Sequence, residues 1–358
     1  MNINKKYIGI LSVAATILLS ACSSDDSGAQ NNTTDNIPVG VKMQVKTFSS
    51  FFADPGPTAV PAPTGFTAYT PDKYTNMGIY MLLSENWASP KLERITYYTS
   101  TGKWNAYFEV EKNKTFTVYG YMPKSGEMSS TLAKSEANAA TLTISNIKPV
   151  TTDDICIITG VKDTDSGLKE GQFSWSTPME EIETYNISML MDHIYAGVQF
   201  RMTIYKEYAQ LRTIKLKKLT LNTDKESVNA AISLTHNGTG ASPISSITYT
   251  SSDGSGSSTS DIYKNDEGTE LPTTTATPLS VNAYFAPELS SNLTLVSTYD
   301  VYDSKGNLIR QNCTATNKLP DLEAVRGQRV QLNMTVNPTY LYVLSEPDLD
   351  NPTITIEN

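Results

Sequence analysis

The sequence predicts an all-β protein made of two tandem antiparallel β-sandwich domains, and three observations carry that expectation. Charged residues make up only 18% of the 358 positions, while Thr, Ser, Tyr, Val and Ile are plentiful, a balance that suits strands better than helices. Short segments alternate apolar and polar side chains with a period of two, as half-buried strands require. Turn residues separate these segments at short intervals, the spacing of an antiparallel sandwich.

The chain opens on a segment of another kind. Lys5 and Lys6 give a basic start, and an apolar run from Tyr7 to Leu19 follows. That run is shorter than the roughly 20 residues a membrane span needs, so it reads as a removable signal. Leu19-Ser20-Ala21-Cys22 resembles the lipobox of bacterial lipoprotein precursors. The resemblance implies removal of residues 1–21 and a diacylglycerol on the thiol of Cys22. Ser23-Ser24-Asp25-Asp26 resembles the acidic tag that sends some lipoproteins of anaerobes to the outer face of the outer membrane. Residues 22–36 hold no large apolar side chain until the sandwich begins and read as a flexible tether.

The first folded block is assigned to residues 37–185. Val39, Val41, Met43 and Val45 alternate with Gly40, Lys42, Gln44 and Lys46, giving a half-buried strand from Val39 to Phe48. Asp54 to Pro71 is rich in proline and reads as a long loop. Met77 to Leu83 is the next strand. Ile95 to Thr99 and Trp104 to Val110 form a hairpin around Thr101-Gly102-Lys103, and Thr115 to Met122 ends at Pro123. Ser130 to Ala140 reads as a short helix. Ala140 to Ile147 and Asp154 to Val161 complete this block.

The second block, residues 186–358, opens near Met189. Ala196, Val198, Phe200, Met202 and Ile204 form one apolar face. Leu211 to Asn222 alternates with Lys215 and Lys217 outward. A Ser-, Thr- and Gly-rich stretch from Thr239 to Ser260 leaves a short strand at Ile244 to Tyr249. Val281 to Ala286 and Leu293 to Tyr302 are strands, followed by a turn from Asp303 to Asn307 that contains Gly306. Val330, Leu332, Met334 and Val336 give the clearest alternation of all. The proline-interrupted tail keeps strands at Tyr340 to Leu344 and Ile354 to Ile356.

Several phrases, in order, resemble the fimbrillin-like proteins of Bacteroides-type anaerobes, the subunits of lipoprotein-derived pili. They are Met77-Gly78-Ile79-Tyr80-Met81, Phe116 to Pro123, Asp153 to Gly160, Met191 to Phe200 and Arg326 to Leu332. The resemblance spans nearly the whole mature chain. It implies two transthyretin-like sandwiches and a structural or adhesive role without catalysis. The partners it implies are other pilus subunits or further copies joined by donor-strand exchange, and a host or bacterial surface receptor. One departure matters. Many polymerising fimbrillins carry an arginine just after the first strand, where a protease removes that strand. Here no arginine precedes Arg94, and Lys42 and Lys46 are the basic residues near the first strand. An anchor, tip or accessory subunit fits this pattern, as does a stalk protein cut after Lys46.

Composition narrows the remaining functions. The formal charge is −9, and losing Lys5 and Lys6 with the signal makes the mature chain more acidic still. Nucleic acid and anionic lipid surfaces need basic patches, so nucleic acid is not an expected partner. Beyond Cys22 only Cys156 and Cys313 remain, read as two separate buried thiols. With two histidines, His193 and His236, no zinc spacing is recognisable, and neither a metal nor a cofactor is expected. His193 lies beside Asp192 and five residues after Ser188, yet strand neighbours point to opposite faces, so a structural histidine is favoured over a catalytic one. Asp163-Thr164-Asp165-Ser166-Gly167 resembles half a calcium loop, but the closing acid falls at Ser174, so a solvated turn is favoured. Glu180, Glu181 and Glu183 read as an exposed connection near Tyr185. Tyr97, Tyr98, Tyr107, Tyr119, Tyr121, Tyr340 and Tyr342 stabilise sheets by cross-strand pairing or stack on sugar rings. The second use gives the alternative function, a surface glycan-binding lipoprotein serving nutrient uptake.

Overall fold

The computed structural model describes residues 35–52, 65–110, 112–180, 183–251, 256–337 and 353–356. Cys22, the signal, most of the tether and the strand expected at Tyr340 to Leu344 lie outside them. Strand dominates. Among the described residues helix is confined to one turn at Lys206–Ala209 and a 3-10 turn at Pro287–Leu289.

Ten strands join in one sheet. Its main path runs Phe66–Tyr69, Asp35–Lys46, Tyr185–His193, Cys156–Lys162, Thr115–Met122, Thr75–Leu83, Leu92–Tyr98 and Lys103–Asn105. Ser174–Ser176 branches from Thr115–Met122, and Tyr107–Val110 from Asp35–Lys46. A six-stranded sheet holds Val150–Thr151, Leu279–Phe285, Ala196–Ile204, Gln328–Asn337 and Ser49–Phe52, with Thr353–Ile356 also on Gln328–Asn337. Arg212–Thr223 and Thr294–Asp303 are the middle strands of a four-stranded sheet edged by Ser258–Glu270 and Leu308–Lys318. A second four-stranded sheet takes Ser129–Glu136 and Ala139–Ile147 from the first half of the chain and Val228–Thr235 and Ile244–Ser251 from the second.

The central strands of the large sheet are buried on both faces. Met77, Ile79 and Val118 enter one core cluster with Val39, Met43, Ile158, Trp175 and Ile187. Tyr80, Leu82, Tyr119 and Tyr121 face the opposite way, into a second cluster with Leu142, Ile144, Phe200 and Ile232. Apolar residues at successive positions, as in Thr115–Met122, follow from that double burial. Gly120 sits at a close approach of neighbouring strands. A Cβ there would lie 2.5 Å from the carbonyl oxygen of Gly78 and 2.9 Å from Ile158 Cδ1, so a larger residue would force neighbouring backbone apart.

The structure departs from the sequence reading in places with clear physical causes. Ser129–Glu136 is a strand, not a helix, because it pairs antiparallel with Ala139–Ile147 and buries Leu132 opposite Leu142. Pairing overrides the helix preference of its Ala, Lys and Glu. Phe66–Tyr69, inside the expected loop, is an edge strand on Asp35–Lys46. Tyr107–Val110 leaves the expected hairpin and pairs with Asp35–Pro38. Val228–Thr235, Ser258–Glu270 and Leu308–Lys318 are additional strands.

His236 joins elements from the two halves. Its ring packs against Phe173 at 4.9 Å and Tyr119 at 5.6 Å, and Nε2 meets the Tyr119 hydroxyl. Burial holds its pKa below the ordinary 6.5, with Glu85 opposing. Between the two values the unfolded chain takes a proton that the folded chain refuses. The stabilising contribution is therefore complete above about pH 6.5 and shrinks as the pH falls toward the folded-state value. The urea midpoint of the native chain should fall more steeply on acidification than that of His236→Gln. Parallel pH slopes would show that this imidazole does not contribute.

Candidate functional site

The first strand is seated between partners rather than laid on an edge. Val39 to Val45 run parallel to Tyr185 to Met191, residue against residue. The opposite edge is covered near its end by Phe66–Tyr69, with Val45 opposite Thr67, and near its start by Tyr107–Val110, with Pro38 opposite Tyr107. The amide of Val39 also donates to the carbonyl of Ala106 at 2.8 Å. Val39, Met43 and Val45 are buried, while Lys42 points outward and reaches Asp165 at 3.2 Å. The alternation seen in the sequence thus places the apolar row in the core.

Where this strand ends, charged groups close over it. Lys46 Nζ donates to Asp192 Oδ2 at 3.1 Å and lies 3.3 Å from Glu170 Oε2. Arg326 reaches the same Asp192 oxygen at 3.1 Å and the carbonyl of His193 at 3.2 Å. Asp192, only 2% exposed, completes its shell by accepting the His193 amide at 2.8 Å. Burial raises the pKa of Glu170 above the usual carboxylate value, and the Lys46 charge opposes that rise. The chain then crosses to the other sheet. Ser49–Phe52 lies parallel to Gln328–Asn337, and the Ser49 amide donates to the Gly327 carbonyl at 2.9 Å.

His193 occupies the crossing. Its Nε2 meets the carbonyl of Lys46 itself, and Phe48 stacks on its ring with centroids 3.7 Å apart. Its Nδ1 lies 2.8 Å from Asp154 Oδ2 and 3.5 Å from Cys156 Sγ. Asp192 bonds to the His193 backbone and not to its ring, as expected of strand neighbours. Burial, reinforced by the charges of Asp154 and Asp192, pushes the Cys156 thiol well above its usual range. The structure therefore gathers Asp154, Cys156 and His193, which the sequence did not bring together. The signal is the pairing of two strands, with Cys156 directly opposite His193, and sequence spacing does not contain it.

Other sequence candidates fall into place separately. Cys156 and Cys313 form no disulfide; Cys156 is buried as expected, whereas Cys313, on the Leu308–Lys318 edge strand, is only partly buried. Asp163 to Gly167 is a turn in which Gly167 takes φ +69°. Glu180 and Glu183 are exposed, and Glu181 lies outside the described residues. Tyr97, Tyr119 and Tyr121 are buried, whereas Tyr98 and Tyr107 are exposed. An open cleft beside the first strand, about 490 Å³ in volume, is lined by Lys42, Gln44, Tyr69, Tyr97, Trp104 and Asp165 among others.

No family model matches this chain, and no curated protein matches it. Solved structures do. A candidate cell adhesion protein from Bacteroides ovatus aligns at 13% identity over 90% of this chain and 97% of its own, with a TM-score of 0.38. A fimbrial protein from Bacteroides vulgatus aligns at 13% identity over 87% and 99%, with a TM-score of 0.33. The fimbrial anchor protein Mfa2 from Porphyromonas gingivalis aligns at 11% identity over 88% and 95%, with a TM-score of 0.26.

Proposed function

We propose that this chain is a fimbrillin-like structural or adhesive subunit of a cell-surface pilus, lipid-anchored in the outer membrane through Cys22 and joined to its neighbours by strand exchange. The observation that carries the reading is the seat of Asp35–Lys46. The first described strand lies in a slot between Tyr185–His193 on one side and two short strands on the other. Emptied, that slot would present an apolar row and unpaired backbone groups, which a strand from another subunit could satisfy. The ordered phrases shared with fimbrillin-like proteins support the same assignment, as does the lipobox. The two-domain division at 185/186 belongs to this proposal.

The surroundings of Lys46 bear on position within a fibre. A trypsin-like protease needs an extended backbone and a basic side chain free to enter its pocket. Here the side chain is held by Asp192 and Glu170, and the carbonyl by His193. That favours an anchor, tip or accessory subunit that keeps its first strand over a stalk subunit cut at Lys46.

One observation favours the glycan-binding alternative: the cleft that sets Tyr69 and Trp104 beside the polar groups of Lys42, Gln44 and Asp165. Negative-stain microscopy of the producing cells tests the main reading. Surface fibres should be present with the intact gene and lost or shortened on its deletion. In cells carrying Cys22→Ala, labelling by a fatty-acid probe should be lost and the precursor should stay uncleaved after Ala21; equal labelling of native and variant would refute the anchor. Unchanged fibres in the deletion strain would refute the pilus role, and specific capture of the intact cells by immobilised glycans would favour the alternative.

A further inference from the structure

Three ligand types converge beneath the end of the first strand, two of them through strand pairing and one from the adjoining connection. Cys156 and His193 face each other across adjacent strands, where side chains of opposed residues project to the same face. Asp154 lies in the connection just ahead of the Cys156–Lys162 strand and brings Oδ2 to 2.8 Å from Nδ1 of His193. One ligand atom from each residue lies within 4.8 Å of the others. Cys156 and His193 are each 1% exposed, and Asp154 Oδ1 is buried without a hydrogen-bond partner.

We propose that Asp154, Cys156 and His193 bind one zinc ion. The Lys46 carbonyl accepts from Nε2 of His193, which leaves Nδ1, 2.8 Å from Asp154 Oδ2 and 3.5 Å from Cys156 Sγ, as the nitrogen that would turn to an ion displacing any proton there. A backbone acceptor on the far nitrogen is the usual device that orients a metal-bound imidazole. A thiolate and a carboxylate balance the charge of a dication. Asp192 is engaged by Lys46 and Arg326, so it does not compete as a ligand. One nitrogen, one sulfur and one oxygen suit zinc, whereas calcium and magnesium prefer oxygen throughout. Three protein ligands leave a fourth position for water. On binding, the ion takes the place of the thiol proton of Cys156 and of any proton on Nδ1, and these pass to solvent. The site stands apart from the assembly reading; only its consequence, a firmer hold on Lys46 and the first strand, rests on that reading.

Cobalt(II), a spectroscopic substitute for zinc, provides the test on the full chain in detergent. One equivalent should produce a near-ultraviolet thiolate-to-cobalt band, and one equivalent of zinc should abolish it. Cys156→Ser should lose the band, Cys313→Ser should keep it, and Asp154→Asn, which removes an anionic ligand, should bind at least about ten-fold more weakly, since loss of even an outer-shell partner costs that much. Absence of the band from the native chain overturns the proposal, as does a band of native strength in Cys156→Ser. Should Cys156→Ser fail to fold, Asp154→Asn at the half-buried rim decides, and cobalt affinity equal to the native chain's overturns it. None of these readouts depends on fibres, so failure here and failure of the pilus reading are seen separately.

Discussion

Deleting residues 37–46 is expected to convert a monomer into multimers. The deletion removes the side chains of Val39, Met43 and Val45 from the core and leaves the Tyr185–His193 edge unpaired. Burying three such side chains contributes roughly 5–9 kcal/mol, so an empty slot would bind any strand that restores them. Other strands of the large sheet keep their own pairings, among them Thr75–Leu83 with Leu92–Tyr98 and with Thr115–Met122. The truncated chain therefore has the means to stay folded while it seeks a partner. Size-exclusion chromatography with light scattering checks the outcome, and an added peptide of residues 37–46 should return the multimers to monomer. A truncated chain that remains a folded monomer would show that the slot does not accept a second subunit's strand.

Asp192→Ala is expected to lower stability by about 2–4 kcal/mol and to open the Lys46–Thr47 bond to trypsin. Removing a buried acid that serves two cations costs several kcal/mol because the cations lose their counter-charge. Lys46 and Arg326 keep 25% and 29% of their side chains exposed, so water recovers part of the loss. Asp192 also accepts the His193 amide, so Asp192→Asn separates charge from hydrogen bonding. It should retain more stability than the alanine variant yet free Lys46 similarly. Urea titration and timed digestion measure both effects. Equal digestion of native and Asp192→Ala chains would show that the ion pairs do not guard the bond.

The strand character of the chain was legible because a period of two needs no knowledge of partners. Val39 to Val45, Ala196 to Ile204 and Val330 to Val336 all face the core as their alternation predicts. The reading failed where pairing, not pattern, decides. Ser129–Glu136 has one buried apolar residue, Leu132, and becomes a strand because Ala139–Ile147 lies beside it. Ser258–Glu270 is mostly polar and exposed on one side, so its sequence resembles a loop until Arg212–Thr223 is placed against it. The candidate site was half visible. His193 reads as structural, and the structure buries it. Its neighbours Asp154 and Cys156 lie far away in sequence, and Lys46 further still, so only the pairing of Cys156–Lys162 with Tyr185–His193 brings them together. Hydropathy patterns carry which face is buried, and they carry little about which buried faces meet.

The parallel seating of the first strand also has a mechanical meaning. A pull on the chain ahead of Asp35 acts along the strand axis, and the neighbouring Tyr185–His193 runs in the same direction. In a parallel ladder the bonds are evenly spaced along the strands, so such a pull loads them together, in shear, instead of peeling them one after another. Beyond Lys46 the same chain continues into Ser49–Phe52, again parallel to its neighbour Gln328–Asn337. Tension entering ahead of Asp35 would be shared by two sheets in series, the arrangement of a tow line made fast at two cleats.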